Sequence, residues 1–571
     1  MFKRRPNFLK KNLWKKNRNQ EIDPDEIFLD SKNLPDFDQS QFEGRLEKPL
    51  SRNTVIICGT FFFIILSIFI FKIFLLQVKQ GKIYAEKSIA NSLRQTVIFP
   101  ERGVIYDRNK VLLASNIYDS KSPDFTHRSY INIPGLAHIL GYVRYPAKDR
   151  SGFYYQDSYD GVDGVEKTYN NVLSGKTGLK IVETNAFGEV ETESVLEPPQ
   201  DGQSITLSID SRVQEKFYNL IKKTAKDIGF GGGAGILIDT RTGEIIASVS
   251  YPEYDSNIMS DKSNSAAIRS FLNDPQKPFL DRNTDGLYTP GSIVKPFVAL
   301  AALKEGVIDP KTEILSTGSI SIQNPYDPKR KTVFNDWRAQ GWVDMRQALA
   351  VSSDVYFYEI GGGFEGQKGL GIQNIEKYMR LFGFGGTVSN NSLLGKKGSI
   401  PSPEWKERNF PGDSWRIGDT YNTSIGQYGF QVTPMQMARA ISSVANNGIL
   451  LNPTIMQTSE TEALSQSIRL PFTKEQFDVI RDGMRQGVIM GTAKGLNIPQ
   501  ISIAAKTGTA ELGSSKKYVN SWVEGFLPSE KPTLAFVGLM ERGPYTNSIG
   551  ALYVMRGLIE WMASTTPEYI K

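Results

Sequence analysis

One segment of the chain has no polar face. Residues Thr54 to Phe71 read TVIICGTFFFIILSIFIF, eighteen positions without a charge, and after Lys72 the apolar run resumes from Ile73 to Leu76. About twenty apolar residues span a bilayer as a helix, and an amine near one end, as at Lys72, can reach the interface. A core helix of a soluble domain keeps a polar stripe, which this run lacks. A cleaved signal peptide fits poorly, because the run starts late, is long and has no small-residue cleavage site after it. The first twenty residues carry Lys3, Arg4, Arg5, Lys10, Lys11, Lys15, Lys16 and Arg18 with no acid. The positive-inside rule therefore places that end in the cytoplasm and everything after about residue 78 outside. Residues 19–53 are polar and acidic, with Pro24, Pro35 and Pro49 scattered through them. The whole tail is expected to be mostly disordered, with its basic stretch against anionic lipid.

Beyond the apolar run, Lys79 to Asn91 has a helical pattern that continues the membrane helix outward. Short strands are predicted at Thr96–Phe99, at Arg102–Asn109 leading into a turn, and at Leu112–Ala114. Residues 117–135 are polar and read as loop, and Gly164–Tyr169 as a short helix. Gln203–Leu207 alternates as a strand, and Asp210 is placed to cap a helix over Arg212–Lys226. Gly235–Asp239 and Glu244–Ser250 flank Thr240-Arg241-Thr242-Gly243, a hairpin signal. The Gly231-Gly232-Gly233 run has neither a following Gly-Lys-Ser/Thr nor GxGxxG spacing, so it reads as a flexible connector and not a phosphate loop. Helical periodicity covers 345–382 and 433–447, strands are expected at 501–505, 520–526 and 533–540, and Met555–Ala563 reads as a last helix. Strands at both ends of this region with helices between them predict an α/β (α+β) domain, a mixed sheet with a helical insert.

Composition narrows the chemistry. The chain has 571 residues, net charge +6, one cysteine and two histidines. The length suits two or three domains. The charge is too mild for nucleic acid as the main partner, and Cys58 alone excludes an internal disulfide and a cysteine-based zinc site. His127 and His138 both precede the C-terminal two-thirds, so a serine nucleophile there cannot use a Ser-His-Asp arrangement and needs a lysine base.

Three strings supply such a site in order: Ser292-Ile293-Val294-Lys295, Ser352-Ser353-Asp354 and Lys506-Thr507-Gly508. Three residues apart on a helix, Ser292 and Lys295 share a face. Pro290-Gly291 suits a helix start, whose free N–H groups favour an oxyanion. Lys295 acts as a base only when neutral, which burial and a second cation would promote. Ser352 can relay a proton to a leaving amine, and Asp354 can orient Lys295 or Lys506, while Ser352 or Ser353 also suits a helix cap. Lys506, Thr507 and Thr509, following an apolar strand, form a pocket for a terminal carboxylate, and Gly508 allows a substrate backbone to approach.

Together these strings resemble the penicillin-recognising serine transpeptidases, specifically class B penicillin-binding proteins of the elongation type. Thr289-Pro290-Gly291-Ser292 with Lys295-Pro296-Phe297 resembles that family's nucleophile helix, and Arg102-Gly103 with Tyr106-Asp107-Arg108-Asn109 its pedestal motif. Pro403-Glu404-Trp405, Gly418-Asp419-Thr420, Ser424-Ile425-Gly426-Gln427 and Thr433-Pro434 agree, as does Asp354 where division-type members have Asn. The resemblance covers nearly everything from residue 50 on. It implies a mainly antiparallel sheet with flanking helices and a helical subdomain, preceded by one transmembrane helix and a β-rich pedestal. The expected division is 1–53 tail, 54–77 membrane helix, 78–202 pedestal and 203–571 transpeptidase domain.

The resemblance further implies that Ser292 is acylated and Lys295 is the base. Ser352 shuttles the proton, Asp354 positions it and Lys506 supplies charge. Thr507 and Thr509 hold the substrate carboxylate, and the N–H groups of Ser292 and Thr509 form the oxyanion hole. The implied reaction is D,D-transpeptidation of peptidoglycan stem peptides beside the membrane lipid, with β-lactams as inhibitors and a RodA-type glycosyltransferase as partner. Two departures stand out. The stretch from Asn116 to His138 is too short for the family's usual head region. Some relatives also carry a metal near the stretch resembling Phe334-Asn335-Asp336-Trp337, but here Trp342 stands where a histidine is expected, so no metal or cofactor is expected. A D,D-carboxypeptidase or β-lactamase-like hydrolase, and a non-catalytic penicillin-binding scaffold or sensor, remain open as rival readings.

Overall fold

The computed structural model describes residues 52–570 apart from 121–122, 151–153, 185–189, 263, 325–326, 387–394, 514–516 and 546–548. The expectations for the basic and acidic tail fall almost wholly on residues 1–51 and lie outside the described residues. The chain divides into two compact units, residues 1–91 and 92–571.

In the first unit, α1 (Arg52–Phe74) runs through a π-helical turn at Leu75–Lys79 and is followed by a helix at Gly81–Ser92. Arg52–Lys79 is long and apolar enough to cross a membrane, and none of its most apolar window is buried in protein. Its hydroxyls are satisfied within the helix: Thr60 Oγ1 donates to Ile56 O and Ser67 Oγ to Phe63 O, both at 2.7 Å. Such back-bonding pairs both hydroxyls without a partner outside the helix.

The second unit begins with two small sheets. β1 (Leu93–Ile98), β5 (Gly178–Thr184) and β6 (Val190–Glu197) form one, in the order β1-β5-β6. The other, ordered β7-β2-β3-β4, contains β2 (Ile105–Tyr106), β3 (Leu112–Ile117), β4 (His127–Tyr130) and β7 (Ile205–Thr206). The β2–β7 pair is parallel. Two corrections belong here. The loop expected over 117–135 contains β4, whose Arg128 and Tyr130 point inward in strict alternation. The hairpin β5–β6 was not foreseen, because β6 is exposed at every position and so carries no alternating pattern.

The motif Arg102…Asp107 holds this region together. Glu166 accepts from Arg102 Nε and Arg128 Nε at 2.7 Å each, and all three side chains are wholly buried. Asn116 joins them, donating to Arg102 O and accepting from Arg128 Nη1. Buried Asp107 closes its own turn through the N–H groups of Asn109 and Val111, and accepts from Ser211 Oγ at 2.7 Å. Ser211 opens α2 (Ser211–Ile228), capped as expected by Asp210, which accepts from Arg212 N. The pedestal motif is thereby tied to the first helix of the larger domain.

That domain is built on a five-stranded sheet ordered β9-β8-β12-β11-β10. Its strands are β8 (Gly232–Asp239), β9 (Ile245–Tyr251), β10 (Ala504–Leu512), β11 (Tyr518–Leu527) and β12 (Leu534–Pro544). Every pairing in it is antiparallel. The first two strands come from one end of the region and the last three from the other, which is the arrangement the pattern predicts. The glycine run is not a connector. Gly232 and Gly233 are buried inside β8, where a Cβ on Gly233 would lie 2.7 Å from Ile221 Cγ2 of α2. Gly233 lets α2 seat closely on the sheet, and Gly232 makes room for the Arg282 side chain.

The sheet separates two cores. α2 and the C-terminal α8 (Ala551–Thr565) pack on one face with Val523, Phe536 and Met540. The other face, with Trp522, Phe526 and Val537, meets the helical insert. There lie α3 (Lys295–Lys304), α4 (Met345–Val351), α5 (Asp354–Gly362), α6 (Pro434–Ala445) and α7 (Lys474–Ile489); α7 and the turn before α3 contact the edge strand β10, while α6 lies across β8, β11 and β12. Glu166→Ala would strand two buried guanidinium groups, so unfolding free energy should fall by about 3–5 kcal/mol; urea unfolding of the detergent-solubilised chain checks this.

Candidate active site

Ser292 lies in a tight 3-10 turn, Gly291–Val294, that runs directly into α3. The turn is held from three sides by backbone. Gly291 has φ +60°, and its N–H donates to Gly426 O at 3.0 Å. A Cβ on Gly291 would meet Thr509 O at 2.9 Å, one on Gly426 would meet Gly291 O at 2.3 Å, and one on Gly508 would meet Ile293 Cγ2 at 2.9 Å. The bare Cα of Gly508, expected to allow substrate approach, also admits the Ser292 turn against β10. Trp522 Nε1 donates to Thr289 O at 3.0 Å and fixes the chain entering the turn.

Lys295 points from the first turn of α3 into the protein and is wholly buried. Its Nζ donates to Asp354 Oδ1 at 2.6 Å and to Ser352 O at 2.8 Å, with Ser352 Oγ at 3.3 Å. On the other side of the same hydroxyl, Lys506 Nζ donates to Ser352 Oγ at 2.7 Å and to Thr507 O at 2.8 Å. Ser352 Oγ therefore bridges two lysines. Burial, reinforced by the neighbouring Lys295 cation, pushes the Lys506 amine well below the usual lysine value, against the pull of Asp354 and Glu524. The open choice for Asp354 resolves to Lys295. Among the described residues no hydrogen bond joins the Ser292 hydroxyl to Lys295.

The Ser352-Ser353 pair divides its tasks. Ser353 caps α5, accepting from Tyr356 N, while Ser352 ends α4 in the left-handed region at φ 58°, ψ 40°. That conformation costs a residue with a Cβ roughly 1–2 kcal/mol. It is secured by Asp336, which sequence reasoning considered only as a possible metal neighbour. Asp336 Oδ2 accepts from Ser353 Oγ at 2.7 Å, Ser316 Oγ at 3.1 Å and Val355 N at 3.1 Å. Two hydroxyls and an amide on one oxygen suit a carboxylate that fixes a loop. The signal for this role was the spacing of an acidic residue before a serine-rich helix start, too common a pattern to single out.

The KTG string also sits differently from expectation. β10 begins at Ala504, so Lys506 to Thr509 lie within the strand and not after it. Thr507 Oγ1 donates to Thr492 Oγ1 at 2.7 Å, and Thr509 is exposed beside the nucleophile turn. A cavity of 740 Å³ lies away from this site, lined by His138, Asp163, Asp281 and Thr454 among others.

A serine at a helix start, two buried lysines joined through a second serine, and an edge strand that carries one half-buried and one exposed threonine match what the comparisons find. Residues 233–555 match the penicillin binding protein transpeptidase domain, and 124–207 the penicillin-binding protein dimerisation domain. The chain is 30% identical to the peptidoglycan D,D-transpeptidase MrdA of Acinetobacter baumannii over 73% of its own length and 63% of that protein's. Against MrdA of Escherichia coli strain K12 the identity is again 30%, covering 76% of this chain and 71% of the relative. Among solved structures it resembles PBP2 of Helicobacter pylori in complex with MreC (TM-score 0.66, 26% identity, covering 82% of this chain and 99% of that one). It also resembles Pseudomonas aeruginosa PBP2 in complex with WCK 5153 (TM-score 0.65, 29% identity, 83% and 98%). By these matches and by its fold, the chain belongs to the penicillin-binding protein transpeptidase family and is most like penicillin-binding protein 2.

Proposed function

We propose that this chain is a serine-type peptidoglycan D,D-transpeptidase of cell-wall elongation, anchored by one membrane helix with its N-terminus in the cytoplasm. The observation that carries the reading is the placement of Lys295, Ser352, Asp354 and Lys506 in one hydrogen-bonded chain behind Ser292. In this reading the tail is 1–53, the membrane helix 54–77, the pedestal 78–202 and the transpeptidase domain 203–571.

Ser292 Oγ attacks the carbonyl carbon of the penultimate D-alanine, and its proton passes to Lys295. Charge building on the carbonyl oxygen is met by the N–H groups of Ser292 and Thr509 at the helix start and strand edge. The C–N bond breaks as a proton reaches the leaving D-alanine amine through Ser352, which touches both lysines. Lys506 holds Ser352 and, with Thr507 and Thr509, the substrate's terminal carboxylate. The acyl-Ser292 ester is then taken by an amine of a neighbouring stem peptide. A β-lactam enters the same path, but its leaving group stays tethered and the ester persists. The Helicobacter pylori relative is described with MreC, and a comparable membrane-associated assembly, including a RodA-type glycosyltransferase, suits an anchored enzyme whose lipid-linked substrate emerges at that surface.

Intact-mass measurement of the detergent-solubilised chain with benzylpenicillin tests this. One long-lived adduct is expected, absent in Ser292→Ala. Adduct formation in that variant would place the nucleophile elsewhere, and turnover of the adduct within seconds would mark a hydrolase. Asp354→Asn removes the charge that orients Lys295, so the acylation rate should fall about 10²-fold while the adduct still forms on Ser292; an unchanged rate would remove Asp354 from the machinery.

A further inference from the structure

One buried ionisable group in the larger domain has no part in the chemistry described so far. Glu524 on β11 is wholly buried, and neither of its carboxyl oxygens has a hydrogen-bond partner. It stands directly opposite Lys506 in the β10–β11 register. Residues directly opposite on antiparallel strands project to the same face, so the carboxyl and the KTG lysine share one side of the sheet. The rest of that side is apolar. Trp522 and Phe526 flank Glu524 along its own strand, and Val537 is its partner on β12. A lone carboxyl in such a place is destabilising unless it answers a charge nearby.

The surrounding charges leave Lys506 as that partner. Lys295 on α3 and Asp354 on α5 act on Lys506 and already pair with each other. On α6, which packs over β11, Arg439 is bound to Leu451 O and Asn452 Oδ1. On α7, against β10, Arg481 binds Ser529 O and Glu530 O, and Arg485 binds Ile503 O. Burial holds the Glu524 carboxyl well above the usual carboxylate range, with Lys506 the one charge drawing it back. The two groups are thus shifted toward each other, Lys506 down and Glu524 up. A buried amine and a buried carboxyl in this relation ionise as a pair more readily than either does alone.

We propose that Glu524 is a positioning residue for the transpeptidation reaction, the buried counter-charge that lets Lys506 carry its positive charge when an anionic substrate carboxylate docks at Thr507 and Thr509. This rests on the reading of Lys506 given above. With Glu524 present, the pair redistributes one proton it already holds: the carboxylic acid gives its proton to the amine, and carboxylate plus ammonium result with no change in total charge. Without it, Lys506 must draw that proton from solution against burial and against Lys295.

The sign follows. Lys506 serves as a cation, so acylation is lost as pH rises through its pKa, and removing the carboxylate lowers that pKa. The test is the pH profile of acylation by benzylpenicillin in the detergent-solubilised full chain, for wild type, Glu524→Gln and Glu524→Leu. The first variant keeps the shape of the protonated acid, and the second keeps apolar volume beside Trp522 and Phe526. In both, the alkaline limb should move to lower pH by about one unit, with the acidic limb and the Ser292 adduct retained. Superimposable profiles in either folded variant would overturn the inference and leave Glu524 a structural residue. If wild type itself forms no adduct, the fault lies with the transpeptidase reading instead.

Discussion

The site depends on one constraint: two lysines share a single serine hydroxyl inside the protein. Lys295 is 0% and Lys506 1% exposed, and both reach Ser352 Oγ. Two buried amines at such range lose hydration and would repel if both were charged, so the fold must supply compensating groups. It does so with Asp354, with the carbonyls of Ser352 and Thr507, and with Glu524 on the neighbouring strand. The participants come from segments 57 and 154 residues away from Ser352, which is why the helical insert must close against the sheet edge before any of this chemistry exists.

Close backbone approach makes that closure possible. Gly291, Gly426 and Gly508 meet around the nucleophile turn at distances where any Cβ would collide with a neighbouring carbonyl or side chain. The turn is fixed by main-chain contacts, so Ser292 is presented by a rigid frame instead of by its own side-chain packing. Asp336 does the same for Ser352, pinning a left-handed residue between two helices through hydrogen bonds to Ser353 and Val355 and a third to Ser316. Ser292 and Ser352, the nucleophile and relay of the proposed reaction, are each held by groups that take no part in it.

Much of this was legible in the sequence. The membrane run, the capped helix after Asp210, the hairpin around Thr240–Gly243 and the last helix all follow local rules of period and capping, and the structure has each of them. The β5–β6 hairpin was hidden because an exposed ribbon has no buried face to impose alternation. The Gly231–Gly233 run was misread because glycine signals flexibility locally, while here α2 seats against it. Of the site, the three strings were visible and their order suggestive. The roles of Gly508, Asp336 and Glu524 were not, since each depends on what lies opposite across tens or hundreds of residues.

The most direct test of the lysine–serine–lysine chain is a double-mutant cycle on the acylation rate, using Ser352→Ala, Lys506→Met and the two combined. Because Lys506 holds Ser352 as well as the substrate carboxylate, the double variant should acylate faster than the product of the two single losses predicts, a departure from additivity. Rate losses that simply multiply would mean that the two residues act independently, and would contradict the account.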